Sequence, residues 1–137
     1  MNSPVTIDAS VFVSAFSPAE LAHKASKAFM TRVREDGIPI IVPTLVLPEI
    51  AAAIARGQDK PELGVEFAEE VSRFPNLLLV NLDKSLAKQA VEAAACYRLR
   101  GSDAVYAAVS LRFGTHLVTL DGEQLARLAG VARVREP

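Results

Sequence analysis

The chain has little with which to do disulfide, zinc or serine-triad chemistry. Its one cysteine, Cys96, cannot close an internal disulfide and cannot by itself make a thiolate metal site. Within the run Ala93-Ala94-Ala95-Cys96 it is expected to be a small buried thiol. The two histidines, His23 and His116, lie beside no candidate nucleophile and read as surface residues, and no Ser-His-Asp arrangement is suggested. No Gly-rich phosphate loop is present, which argues against nucleotide chemistry of the P-loop type. No apolar run approaches the roughly 20 residues needed to span a bilayer. The opening Met1-Asn2-Ser3-Pro4-Val5 lacks the basic start and apolar stretch of a secretory signal. A cytoplasmic location without a membrane partner is therefore expected. Neither an internal repeat, nor a low-complexity tract, nor a linker divides the 137 residues, so one domain over 1–137 with one core is expected.

What is present is a slightly greasy soluble composition, half hydrophobic and 23% charged, compatible with a dimer face or a partner groove. Short apolar runs alternate with helical patterns, the arrangement of a parallel sheet wrapped by helices. Strands are expected at Val5-Thr6-Ile7, at Ile38 to Val42, at Leu77 to Leu82 and at His116 to Leu120, with a short fifth near Val131 to Val134. Between them, helices are expected over Ala19 to Glu35, with Leu21, Ala25, Phe29 and Val33 on one face and Gly37 as the stop, and over Thr44 to Arg56, ended by Gly57. Others are expected from Pro61, from Ser85 to about Arg98, and from an N-cap at Ser102 to Phe113. Asp121 with Gln124 has the spacing of a capping box for a last short helix. The fold class is α/β, with four or five mostly parallel strands and helices on both sides.

Four acids fall at informative places in this pattern. Asp8 and Asp121 each follow a strand, and Glu49 and Asp103 lie early in helices. In open parallel sheets ligands gather at the carboxyl ends of the strands, where the following helices also begin. Each acid alone has a plain explanation as a cap or as a partner of a helix dipole. Jointly, four acids at one edge repel one another and raise one another's pKa, and such a cluster calls for a cation. An oxygen-only ligand set favours Mg²⁺ or Mn²⁺ over zinc. Phosphodiester hydrolysis uses such a cluster, with metal-activated water and a carboxylate to take its proton. The formal net charge is −1; with these four acids set aside, fifteen cations, most of them arginine, face twelve remaining acids. Arg98 and Arg100, just ahead of Asp103, are placed either to steer phosphates or to answer a helix dipole.

The segments Ile7-Asp8-Ala9-Ser10-Val11-Phe12-Val13, Pro48-Glu49-Ile50-Ala51, Ser102-Asp103-Ala104-Val105-Tyr106-Ala107-Ala108 and Leu117-Val118-Thr119-Leu120-Asp121 resemble the motifs of PIN-domain proteins, in family order over nearly the whole chain. The likeness is to VapC-type toxins of toxin–antitoxin pairs. The resemblance implies a PIN-like parallel sheet flanked by helices and a metal-dependent endoribonuclease. It also implies that Asp8, Glu49, Asp103 and Asp121 are the catalytic acids, with Asp8, Asp103 and Asp121 binding Mg²⁺ or Mn²⁺. Ser10 and Thr119 match positions that hold a hydroxyl near the acids. The implied partners are an RNA substrate, a small DNA-binding antitoxin that blocks the acidic pocket, and a second copy of the chain. Two readings compete: a PIN-fold interaction module without catalysis, or a solitary PIN nuclease with no antitoxin. A phospho-acceptor receiver domain fits poorly, because the third strand ends in Asn81-Leu82-Asp83-Lys84 and no lysine follows Asp103.

Overall fold

Five strands, β1 (Val5–Ile7), β2 (Ile40–Pro43), β3 (Leu77–Val80), β4 (His116–Val118) and β5 (Val134–Arg135), form one sheet in the order β3-β2-β1-β4-β5. The coordinates are a computed structural model describing residues 3–137. Met1 and Asn2, part of the opening stretch read above for a secretory signal, lie outside the described residues. Every strand pair is parallel, so "mostly parallel" becomes wholly parallel. The expected strands all exist, with ends moved by up to three residues. The sheet starts at β1, steps outward to β2 and β3, and returns to the other side of β1 for β4 and β5. In register, Val5 faces His116 and Ile7 faces Val118. The β1/β4 pair is thus the place where the strand order reverses, the crevice in which open parallel sheets collect ligands.

Helix α1 (Ala9–Phe16) corrects the sequence reading, which placed no helix there. Its Val, Phe and Ser residues are poor helix formers, but propensity is overridden by tertiary context. Val11 and Phe12 are fully buried, and Asp8, in extended backbone, caps the helix by accepting the Ser10 N–H. Helix α2 (His23–Glu35) starts later than the expected Ala19, because residues 17–22 form turns. The expected inward face is corrected too: Leu21 is 106% exposed and Ala25 is exposed, and the buried line is Ser26, Phe29 and Val33. Gly37 ends the helix as expected, at φ +63°. His23 and His116 are half-buried rather than superficial, and His23 Nδ1 bonds the Ser14 carbonyl at 2.8 Å.

Helix α3 (Val46–Gln58) buries Ile50 and Ile54 as expected and holds Pro48 in its first turn. Gly57 does not stop it; the helix runs through and closes at Asp59, φ 53°. Helix α4 (Pro61–Ser72) lies against α3 so closely that a Cβ on Gly64 would sit 2.5 Å from the Ala51 carbonyl oxygen. Helix α5 (Lys84–Tyr97) is capped by Asp83, which accepts the Leu86 N–H at 2.8 Å. Cys96 is exposed, against the buried thiol expected. At about 100° per residue it stands roughly a quarter turn from the buried line Leu86, Ala90, Ala93. Helix α6 (Gly101–Phe113) is buried without interruption from Asp103 to Ser110, so it is the central helix of the core. Its N-cap is Arg100, not Ser102, and no side chain caps it. The short α7 (Gly122–Arg127) starts from Asp121.

Candidate active site

Four helices begin at the carboxyl edge of the sheet and each brings one acid. Asp8 caps α1 at the end of β1, and Asp121 caps α7 just beyond β4. Glu49 and Asp103 stand in the first turns of α3 and α6. Capping and convergence are therefore one fact at Asp8 and Asp121. The same backbone geometry that lets a carboxylate satisfy a free N–H also aims it at the crevice beside the strand ends.

The acids are tied to one another by donors of the chain. Asp8 Oδ2 accepts from the Thr119 hydroxyl at 2.7 Å and from Gln124 Nε2 at 2.9 Å, and Asp8 Oδ1 accepts the Ser10 N–H at 3.2 Å. Gln124 Nε2 also donates to Asp103 Oδ1 at 3.1 Å. Arg100 Nε donates to Asp103 Oδ2 at 2.8 Å, and Arg100 Nη2 donates to Asp121 Oδ2. Glu49 Oε1 accepts from the Tyr106 hydroxyl at 2.6 Å. Asp8 and Asp103 are each only 7% exposed. The two flagged hydroxyls are both at the site. Thr119 Oγ1 bridges Asp8 to the Asp121 N–H, 3.0 Å away, and Ser10 Oγ accepts the Leu120 N–H at 3.2 Å.

The electrostatics match this crowding. Burial pushes the Glu49 carboxyl above its ordinary value; the Tyr106 hydrogen bond pulls against that, and Asp8 and Asp103 push it further up. Burial raises Asp103 as well, opposed by the Arg100 hydrogen bond and charge and reinforced by Asp121 and Asp8. Burial and the charges of Asp8 and Glu49 drive the Tyr106 hydroxyl far upward, so it stays a proton donor to Glu49.

Three features escaped the sequence reading. The expected capping box is only half there: Asp121 Oδ1 accepts the N–H groups of Glu123 (2.8 Å) and Gln124 (3.3 Å). Gln124 gives nothing back, because its amide turns inward to Asp8 and Asp103. Tyr106, one helical turn after Asp103, was quoted only as part of a motif and given no role. Arg100, read as a phosphate-steering or dipole-answering residue, instead pairs with Asp103 and Asp121, while Arg98 is the left-handed cap of α5 at φ 54°. A run of acids with one arginine three residues before the third would have been the signal for that pairing.

The donor set suits a hard divalent cation: carboxylate oxygens only, mutually repelling and partly desolvated. Gln124 Oε1, in a side chain with 0% exposure, has no hydrogen-bond partner, so an additional oxygen is left unused beside the acids. As they stand, no three His, Cys, Asp or Glu side chains among the described residues are arranged to hold a metal ion. The N–H groups of Gln124 and Arg100 are what lie between the carboxylates. Away from this edge, a cleft of about 480 Å³ opens between α1, α2 and α4, lined by Phe12, Phe16, Met30, Phe67 and Phe74 with Arg34 at its side.

Comparison with known proteins agrees with the geometry. The family model described as PIN domain matches residues 5–131. Solved structures with the same fold include VapC20 of Mycobacterium tuberculosis, described as a sarcin–ricin loop cleaving toxin. It is 18% identical, aligned over 96% of this chain and 98% of that one, with a TM-score of 0.77. VapBC2 of Rickettsia felis, bound to a DNA fragment from its promoter, is 12% identical over 98% of each chain with a TM-score of 0.72. A toxin–antitoxin complex from Klebsiella pneumoniae is 16% identical over 97% of each chain with a TM-score of 0.68. No curated protein sequence gives a significant match.

Proposed function

The chain belongs to the PIN-domain family, and from that premise we propose that it is a metal-dependent endoribonuclease, the toxin of a type II toxin–antitoxin pair. The observation that carries the reading is the gathering of Asp8, Glu49, Asp103 and Asp121 at the β1/β4 crevice from four separate helix starts. Asp8, Asp103 and Asp121 would hold Mg²⁺ or Mn²⁺. Bound there, the ion would make a hydroxide-like nucleophile available near neutral pH and offset charge on the phosphate.

The rest of the work falls to the chain. Glu49, its proton affinity raised by burial, is suited to take the proton of the attacking water as the water oxygen bonds to phosphorus and the ester P–O bond breaks. Tyr106 orients Glu49 through its 2.6 Å hydrogen bond. Thr119 and the Ser10 backbone N–H fix the two oxygens of Asp8, so its direction does not depend on the ion.

Purified protein is expected to cleave RNA with Mg²⁺ or Mn²⁺ and not with a chelator. Asp8→Asn should abolish cleavage while the circular dichroism spectrum and melting temperature show a folded domain. A wild type that stays inactive with both ions on varied RNAs defeats the enzyme reading. One observation favours the rival, a PIN-fold interaction module: among the described residues no three acidic side chains surround a common metal position, because the Gln124 and Arg100 donors stand between them. The same assay separates the two.

The antitoxin partner rests on the neighbouring toxin–antitoxin complex and on the apolar cleft beside α1 and α4, which offers a seat to a small partner chain. A short reading frame adjoining this one in the genome would support it, and its absence favours a solitary nuclease. The homodimer belongs to the same proposal, with sedimentation as its measure. Among the described residues no helix is long and apolar enough to cross a membrane.

A further inference from the structure

Two donor side chains, Gln124 and Arg100, sit where the acids would otherwise face one another. Gln124, buried completely, spans Asp8 Oδ2 and Asp103 Oδ1 through a single nitrogen, at 2.9 and 3.1 Å. Its own carbonyl oxygen is left without a partner, so the amide is turned to serve the carboxylates at a cost to itself. Arg100 does the same at the mouth. Its Nε meets Asp103 Oδ2 at 2.8 Å and lies 4.0 Å from Glu123 Oε2, and its Nη2 meets Asp121 Oδ2. The order Asp8–Gln124–Asp103–Arg100–Asp121 is an alternating string of acid and donor. The two donors differ in freedom. Gln124 is locked inside, whereas the Arg100 side chain is 62% exposed and its side-chain partners are all acids of this edge.

We propose that Arg100 is an internal counter-cation of the acidic site, so that a divalent metal binds by displacing its guanidinium into solvent. The inference rests on the metal-site reading above and adds a regulatory property to it. With no metal bound, Arg100 neutralises the outer acids and the site is closed. A metal must first compete with a tethered cation, which lowers apparent affinity by the fraction of molecules in the open arrangement. A guanidinium fork bridging two carboxylates is among the stronger exposed pairings, yet solvent weakens it enough to be reversible. Metal binding would then leave a free arginine at the rim of the site. Gln124 answers a different need: it holds Asp8 and Asp103 at a common point in both states.

The test is Mn²⁺ binding by calorimetry to the full chain, with wild type, Arg100→Gln and Arg100→Lys, alongside the melting temperature of each without metal. Removing the guanidinium should tighten Mn²⁺ binding roughly fivefold, which corresponds to a closed arrangement populated about four times in five. The same substitution should lower the metal-free melting temperature. Lysine, a point charge that cannot fork between two carboxylates, should fall between wild type and glutamine. A purely structural arginine would lower the melting temperature and leave the Mn²⁺ affinity unchanged, and that result overturns the displacement while the metal site stands. Weaker binding in Arg100→Gln overturns it as well. Mn²⁺ binding by none of the three proteins overturns the displacement and the metal-site reading together.

Discussion

Helix α3 meets two opposite demands within three residues. At Glu49 it delivers a carboxyl into a pocket where burial and two neighbouring acids raise that group's proton affinity. At Ala51 it lies backbone to backbone against α4, through the glycine at position 64. The second contact is dry and close-packed and contributes to stability. The first is crowded with like charge and detracts from stability unless a counter-ion is present. The fold keeps the two apart by putting the acids at helix starts, where a carboxylate can satisfy free N–H groups, and the tight packing further along the same helix. A functional site can hold such tension because the surrounding frame over-determines it.

The largest expected effect tests the dry side of the contrast. A Cβ at Gly64 would stand 2.5 Å from the Ala51 oxygen and 3.3 Å from the Ala51 carbonyl carbon and the Ala55 nitrogen, all backbone. Gly64→Ala should therefore destabilise by about 2 kcal/mol in urea denaturation, overpacking outweighing the gain in helix propensity. Gly57, in α3, has nothing within 4 Å of the corresponding position. Gly57→Ala should stabilise by roughly 0.5 kcal/mol. Two glycine-to-alanine changes in adjoining helices thus carry opposite signs. If both stabilise, the α3/α4 contact is not close and the contrast drawn above fails.

The charged side should show itself through pH. Glu49 and Asp103 have raised pKa values in the fold, from ordinary values of 4.5 and 3.8. The folded state then binds protons more tightly than the unfolded chain, so their contribution is fully present below those ordinary values. It is lost as pH rises through the folded values. The part of the metal-free protein's melting temperature that these two carboxyls set should accordingly fall as pH climbs above about 4.5. Glu49→Gln should flatten part of that slope, and saturating Mn²⁺, which binds the folded state, should raise the curve most at the alkaline end. A slope that is the same in Glu49→Gln and wild type would remove Glu49 from the crowded set.

How much of this was written in the sequence divides along the same line. The sheet, its direction and the positions of the four acids were legible, because short apolar runs alternate with helical patterns and the acids sit at strand and helix ends. Helix α1 was not. Ser10, Val11, Val13 and Ser14 disfavour a helix locally, and only the Asp8 cap and the burial of Val11 and Phe12 settle it. Leu21 misled for the reverse reason, since an apolar residue at helical spacing lay in a turn before the helix began. Gln124 read as half of a capping box because spacing alone cannot tell a side chain reaching back from one turned inward. Arg100 needed the third dimension as well: it lies 21 residues before Asp121, and only the meeting of the starts of α6 and α7 at the sheet edge brings them together.

Position 96 should be the smallest effect, because it belongs to neither region. Cys96 is exposed on α5, a quarter turn from the buried line, in contact with neither the acids nor the α3/α4 seam. Cys96→Ser is expected to change stability by less than about 0.5 kcal/mol, as at most surface positions. The wild-type thiol should react with a colorimetric disulfide reagent at a rate close to that of the urea-unfolded chain. A buried thiol would react only through transient opening and so far more slowly. Slow labelling of the folded protein that becomes fast at low protein concentration would mean that a second copy covers the outer face of α5. Fast labelling at every concentration would place any homodimer contact elsewhere on the molecule.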